Sequence, residues 1–239
     1  MSTLVLVRHA QASFLEDDYD RLSPHGEKQA VQLGKHWAAV NGSFDVVLCG
    51  PRRRHRRTAE LVGESFHAAG HHWPEPVSLA EWDEHQIDRL MVQHAPRLGE
   101  DYPELRPLLA AARSEGTRTE RARGFQRLFE AVARLWLTDA VVRTDIETWD
   151  AFRTRIQGAL DAIVTQAGRG RRVAVFTSGG PITVALQRAV GCDDQTALAT
   201  GWRVWNCSLT EFAFSGNRFT LDCFNALPHL PDPSDWTYR

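Results

Sequence analysis

Lysine is nearly absent from this 239-residue chain: only Lys28 and Lys35 occur, so 26 of its 28 basic residues are arginine. Such a bias arises from genomic base composition, or from sites that need the forked donors of a guanidinium, and composition alone does not separate the two. Cysteine is also scarce. Cys49, Cys192, Cys207 and Cys223 show neither a CxxC pair nor zinc-ligand spacing, which predicts buried thiols rather than a disulfide or metal site. His71-His72 is the one adjacent histidine pair and no spacing recurs, so no metal and no cofactor are expected. No apolar run approaches the roughly 18 residues a membrane span needs. The opening Met-Ser-Thr-Leu-Val-Leu-Val-Arg lacks the basic flank of a secretory signal, so a cytoplasmic location away from membranes is expected. An excess of charge of one sign is missing too. A formal net charge of −2 argues against a dedicated nucleic-acid binder, and Trp37, Trp73, Trp82 and Trp136 are scattered rather than interleaved with bases.

What is present is ordinary globular composition, 43% hydrophobic and 24% charged. Leu4 to Val7 is a short apolar run that stops at Arg8-His9 and reads as a buried parallel strand. Ser23-Pro24 opens a helix with Ala30, Leu33, Gly34 and Trp37 on one face. A second strand, Phe44 to Leu48, ends at Gly50-Pro51, and a helix follows through Thr58 to Val62. Pro76 to Leu79 is a shorter strand leading into Glu81. From about 86 to 145 strand signals vanish. Phe125, Leu128, Phe129, Val132, Leu135 and Trp136 recur at helical spacing, which predicts a helical insertion within a single domain spanning 1–239. Thr144 to Glu147 has the form of a capping box for a helix carrying Phe152, Ile156, Leu160 and Ile163. Val173 to Thr177 is the strongest strand and breaks at Ser178-Gly179-Gly180-Pro181 into a helix with Ile182, Ala185, Leu186 and Ala189. Leu209 to Phe214 and Arg218 to Phe224 flank Ser215-Gly216-Asn217 as a hairpin, and the proline-containing tail reads as irregular.

Alternating strands and helices predict an α/β fold: a three-layer sandwich with a mostly parallel central sheet, helices on both faces and a helical cap insertion. In such sheets ligands bind outside the carboxyl ends of the strands. The residues at those ends are Arg8-His9, Gly50 to Arg54, Glu81 and Ser178-Gly179-Gly180. One histidine, several arginines, one carboxylate and a glycine-rich helix start are the inventory of a phosphate site.

Four blocks at these ends resemble the histidine phosphatase superfamily, in its phosphoglycerate-mutase-like branch. Leu6-Val7-Arg8-His9-Ala10 with Leu22-Ser23, Gly26 and Gln29-Ala30 is similar to the family's Arg-His-Gly opening and following helix, with Ala10 in place of the glycine. Gly50-Pro51-Arg52-Arg53-Arg54-His55-Arg56-Arg57-Thr58-Ala59 resembles Ser-Pro-x-x-Arg-x-x-x-Thr-Ala, a register that makes Arg54 the phosphate-clamping arginine. Arg52, Arg53, Arg56 and Arg57 are expected to be solvated or paired with acids. Leu79-Ala80-Glu81 matches the Leu-x-Glu that carries the family's proton donor, and His85 stands where the family usually has glycine. The fourth block departs: Thr177-Ser178-Gly179-Gly180-Pro181 aligns with the family's His-Gly-Gly turn, with Ser178 at the second active-site histidine.

The resemblance implies that His9 attacks phosphorus and that Arg8, Arg54, Ser178 and Gly179 bind the phosphate. Glu81 would protonate the leaving oxygen. His85 is a possible auxiliary for the missing imidazole. The implied activity is hydrolysis of a small phosphorylated metabolite or other phosphomonoester. The alternatives are a weak or inactive member that only binds a phosphorylated ligand, and a phosphoglycerate-mutase-type phosphotransferase.

Overall fold

The computed structural model describes residues 1–13, 20–113, 116–138, 140 and 145–238. The chain falls into two compact units, one of residues 1–84 and 155–239, the other of residues 85–154.

The first unit is built on a six-stranded mixed sheet. Strand β1 (Ser2–Arg8) is followed by helix α1 (Pro24–Ala39), β2 (Val46–Cys49), α2 (Arg53–Ala68) and β3 (Val77–Ser78). After the second unit come β4 (Arg172–Thr177), two helices, and the hairpin β5 (Leu209–Ser215) and β6 (Arg218–Ala226). The order across the sheet is β3-β2-β4-β1-β5-β6. The first four strands are parallel, and β5 and β6 add an antiparallel edge.

Side-chain alternation sorts the sheet's residues onto its two faces. Val5, Val7, Val47, Cys49, Ala174, Phe176 and Leu209 are buried with Ala30, Leu33 and Trp37 of α1 and Ala59, Val62 and Phe66 of α2. Leu4 and Leu6 point the other way, paired in register with Val173, Val175 and Phe212. Helix α8 (Gly179–Val190) covers that face, with Arg188 lying 5.1 Å over the Phe219 ring and ion-paired at 2.7 Å with Asp161 of α7 (Trp149–Gln166). This is the α/β sandwich the residue pattern predicts. Ser23 caps α1 as expected, its hydroxyl accepting from the Gly26 N–H at 3.0 Å.

The unit 85–154 contains helices α3 (Ile87–Gln93), α4 (Ala95–Asp101), α5 (Arg106–Arg113), α6 (Arg118–Leu137) and the start of α7 (Trp149–Gln166), and no strand among its described residues. Leu128, Val132 and Trp136 of α6 are buried, as the spacing predicts. Thr144 lies outside the described residues, and α7 begins at Trp149, later than the capping pattern suggests. There the Thr148 hydroxyl accepts from the Ala151 N–H at 3.2 Å. The capping box that does form is Thr117 with Glu120, at the head of α6. Two further helices follow β4: α8 (Gly179–Val190) and α9 (Asp194–Gly201). The second was not expected; only two of its residues are buried, so it carries little apolar periodicity. No helix among the described residues is long and apolar enough to cross a membrane.

Candidate active site

Arg8 of β1 lies opposite Thr177 of β4, so the next residues, His9 and Ser178, leave the sheet side by side. The His9 N–H donates to the Thr177 carbonyl at 2.7 Å. Its ring is 3% exposed, and Nδ1 lies 2.8 Å from the Ala10 carbonyl oxygen. A carbonyl can only accept, so Nδ1 carries the proton and Nε2 keeps its lone pair. Burial, followed by the charges of Arg54 and Arg8 and by His55, pushes the His9 imidazole well below its ordinary range, so the ring is neutral.

Backbone contacts fix the loop beneath His9. The Asn206 side-chain amide donates to the His9 carbonyl at 3.3 Å, and the Cys207 N–H is shared between the carbonyls of Arg8 and His9 at 3.0 and 3.2 Å. The Ala10 N–H donates to Thr58 Oγ1 at 3.1 Å, and that hydroxyl donates to the Arg54 carbonyl at 2.6 Å. The loop is thereby tied to the first turns of α2. Ala10 is unstrained: among the described residues only Asn41, Cys207 and Asn225 are non-glycine residues with positive φ.

Arg54 is 3% exposed, and its guanidinium donates to Asp20 Oδ1 at 2.9 Å. The other Asp20 oxygen accepts the Arg53 N–H at 2.9 Å. Asp20 thus caps α2, whose own N-cap residue, Arg52, makes no side-chain cap bond. Arg8 donates to the carbonyls of Val204 and Tyr238, the latter at 2.7 Å. The other arginines of the run include Arg52, paired with Asp83 at 2.6 Å, and Arg57, held by Glu64 at 3.1 Å and Glu60 at 3.4 Å. Pairing with acids is what near-neutral charge predicts for them.

At the end of β4, Ser178 is fully buried. Its hydroxyl does not cap α8; it lies 2.6 Å from Nε2 of the equally buried His55. The His55 ring stands 5.7 Å from the His9 ring, centroid to centroid. Burial and the neighbouring Arg54 and Arg52 charges hold His55 well below the usual histidine range. The Gly180 N–H at the head of α8 donates to both oxygens of Glu84, at 3.1 and 3.3 Å.

The structure therefore gathers Arg8, His9, Arg54 and Ser178, with Gly179 following as the first residue of α8. Glu81 is set differently. It is exposed on a 3₁₀ turn, Ala80–Trp82; its carbonyl takes the Arg155 guanidinium at 2.6 Å, while its carboxylate makes no hydrogen bond or ion pair among the described residues. His85 belongs to the other unit, where its buried ring lies 5.4 to 5.8 Å from those of Trp136, Phe152 and Phe129. Sequence reasoning missed Asp20, His55 and Glu84. A histidine directly after Arg54 was the one available hint. No cluster of three or more His, Cys, Asp or Glu that could hold a metal ion occurs among the described residues.

The ends of adjacent strands in this α/β sandwich thus hold a neutral histidine, two arginines and a helix start, groups whose chemistry suits an anion. Residues 4–107 and 109–227 match the family model of the histidine phosphatase superfamily, branch 1, and the chain belongs to that family. No curated protein matches it by sequence. Among solved structures, a phosphoglycerate mutase from Bacillus anthracis str. Sterne superposes with a TM-score of 0.65 at 18% identity, over 96% of this chain and 95% of that one. The alpha-ribazole phosphatase of Shigella flexneri gives 0.64 at 18% identity, over 94% and 96%. A phosphoserine phosphatase mutant from Entamoeba histolytica, in complex with phosphoserine, gives 0.61 at 17% identity, over 96% and 100%. At these identities the likeness is one of fold.

Proposed function

We propose that this chain hydrolyses a phosphomonoester through a phosphohistidine on His9. The observation that carries this reading is the His9 ring itself: buried, neutral, and fixed by its Nδ1–H on the Ala10 carbonyl at 2.8 Å, so that Nε2 is the nucleophilic nitrogen. The guanidiniums of Arg8 and Arg54 supply charge to the equatorial oxygens, and so do the N–H groups at the start of α8. Two of these donors already carry a carboxylate, Asp20 on Arg54 and Glu84 on Gly180, which supports their aim at an anion. Neutral His9 and cationic arginines are electrostatically consistent, since each guanidinium charge disfavours protonation of the ring.

In the first step Nε2 forms a bond to phosphorus as the ester P–O bond breaks, and Glu81 gives its proton to the departing oxygen. In the second, water attacks the phosphohistidine, passes a proton to the Glu81 carboxylate, and the P–N bond breaks. Phosphate and neutral His9 result. Glu84, with its carboxylate at the α8 head, is the alternative carrier of that proton. Ser178 stands where the family resemblance has a second histidine, and it donates one hydrogen bond in place of an imidazolium. This mechanism does without His85, whose ring is packed among three aromatics.

A second reading, binding of a phosphorylated ligand without turnover, draws support from the exposed and unengaged Glu81 carboxylate. A panel of phosphomonoesters assayed on wild type and His9→Ala separates the two. Hydrolysis of at least one ester that His9→Ala abolishes supports the enzyme. Tight binding with no hydrolysis in either protein supports the second reading.

A further inference from the structure

Beside His9 two fully buried polar side chains contact each other, His55 on the first turn of α2 and Ser178 at the end of β4, 2.6 Å apart across 123 residues of sequence, and of the two the mechanism above uses only Ser178. Nδ1 of His55 is buried and has no hydrogen-bond partner among the described residues. A neutral imidazole has one N–H to place. On Nδ1 it would be an orphaned buried donor, the costlier kind of unsatisfied group, whereas a bare Nδ1 leaves only an unused acceptor. The proton therefore resides on Nε2, and the bond runs from His55 Nε2–H to Ser178 Oγ. The depressed basicity of His55, from burial and from Arg54 and Arg52, keeps the ring in this singly protonated form.

That direction settles what the serine hydroxyl can do. With one lone pair engaged, its own O–H is left to donate. The helix it precedes offers no acceptor, because the N-terminal groups of α8 are donors too. The chain also makes room for this imidazole. A Cβ on Gly50 would fall 2.3 Å from His55 Nδ1 and 2.5 Å from the Trp82 carbonyl oxygen, both impossible approaches. Glycine ahead of Pro51 and histidine after Arg54 form one packing unit.

We infer that His55 is a positioning residue for the phosphate site: its Nε2–H holds Ser178 Oγ so that the serine O–H donates to a phosphoryl oxygen bound beside His9. The pair replaces one direct donor by a two-residue relay, strengthened because a hydroxyl that accepts a hydrogen bond is a better donor. This rests on the phosphate-site reading, and the test keeps the two apart.

Wild type, His55→Leu, His55→Gln, Ser178→Ala and the double variant His55→Leu/Ser178→Ala are compared for kcat and KM on p-nitrophenyl phosphate. Their affinity for inorganic phosphate is measured by calorimetry, with folding checked by circular dichroism. Ser178→Ala should lower kcat by roughly 10²-fold, the scale of one lost oxyanion donor. His55→Leu should lower it about tenfold or more. The double variant should fall no further than Ser178→Ala, and His55→Gln, whose amide N–H can reach the hydroxyl, should recover most of the loss. Multiplicative losses in the double variant overturn the inference, as does a His55→Leu variant that is folded and fully active. If His55→Leu does not fold, His55→Asn, whose shorter amide falls short of the hydroxyl, decides: a loss of kcat in the Ser178 background that disappears in Ser178→Ala supports the relay, and an equal loss in both, or no loss with Ser178 present, overturns it. If wild type shows no turnover, the hydrolase reading fails. The relay is then judged by the same non-additive pattern in phosphate affinity, and absence of phosphate binding in wild type overturns it too.

Discussion

The strand ends around His9 and the helical unit 85–154 each bury a histidine, and they do it by opposite means. His55 is enclosed by polar and charged neighbours: a serine hydroxyl at 2.6 Å, the His9 ring, and the flanking arginines. His85 is enclosed by Phe129, Trp136 and Phe152, and Trp136 in turn packs edge-on against Trp149 at 5.4 Å. In the first region each side chain is oriented by a hydrogen bond, so direction is specified. In the second, rings fill space, so volume is specified. A site that must aim donors at an oxyanion needs the first kind of order, and a helical unit needs only the second to be stable.

The difference can be broken from either side. The largest expected effect is on stability in the helical unit: Trp136→Ala removes a ring that is 1% exposed and should destabilise the protein by about 3–5 kcal/mol, read in urea unfolding. Next comes Arg54→Ala, which should cut kcat/KM roughly 10²–10³-fold, the scale of a lost charge-stabilising donor. It also strands Asp20 without its 2.9 Å partner, so Arg54→Lys, which keeps the charge but loses the fork, should recover only part of the rate.

Acidification should weaken the first unit in a way that buried histidines explain. Burial, and then His36 beside it, hold His229 down to about 3 from an ordinary 6.5; burial holds His9 and His55 low as well. Below pH 6.5 the unfolded chain takes up protons that these folded imidazoles refuse, so stability is full above that pH and falls as pH drops towards the folded values. Each such histidine contributes a slope of up to about 1.4 kcal/mol per pH unit. His229→Phe should therefore flatten the decline between pH 6.5 and 5, followed by chemical denaturation; an unchanged slope would show that His229 titrates normally. The smallest effect is expected at His85. His85→Leu keeps the volume among the rings, should cost under about 1.5 kcal/mol, and should leave kcat unchanged, in contrast with His55→Leu.

The two regions were also unequally legible in the sequence. Apolar periodicity revealed the strands, α1, α2 and the buried face of α6, because each is a local pattern enforced by one sheet or helix face. The strand-end rule then brought Arg8, His9, Arg54 and Ser178 to one edge without reference to any side-chain geometry. What stayed hidden depends on contacts distant in sequence. The His55–Ser178 pair is separated by 123 residues, Arg54 and Asp20 by 34, and Gly180 and Glu84 by 96. Within Arg52 to Arg57, a histidine among five arginines reads as more surface charge until the fold buries it. Glu84 was hidden by its neighbour: Leu79-Ala80-Glu81 fits a motif, whereas a carboxylate three residues on fits none, yet it is Glu84 that meets the head of α8. The arginine excess resolves along the same line. Within that run Arg52 and Arg57 hold acids, and Arg54 is buried where a fork of donors faces the strand ends.

The central claim is a covalent bond between phosphorus and His9, and it is tested most directly by incubating wild type and His9→Ala with a ³²P-labelled phosphomonoester and quenching in base. Label on wild type should survive base, be released by acid, and be absent from His9→Ala. Label of equal amount on both proteins, or hydrolysis by wild type with no acid-labile label and undiminished hydrolysis by His9→Ala, would contradict the claim.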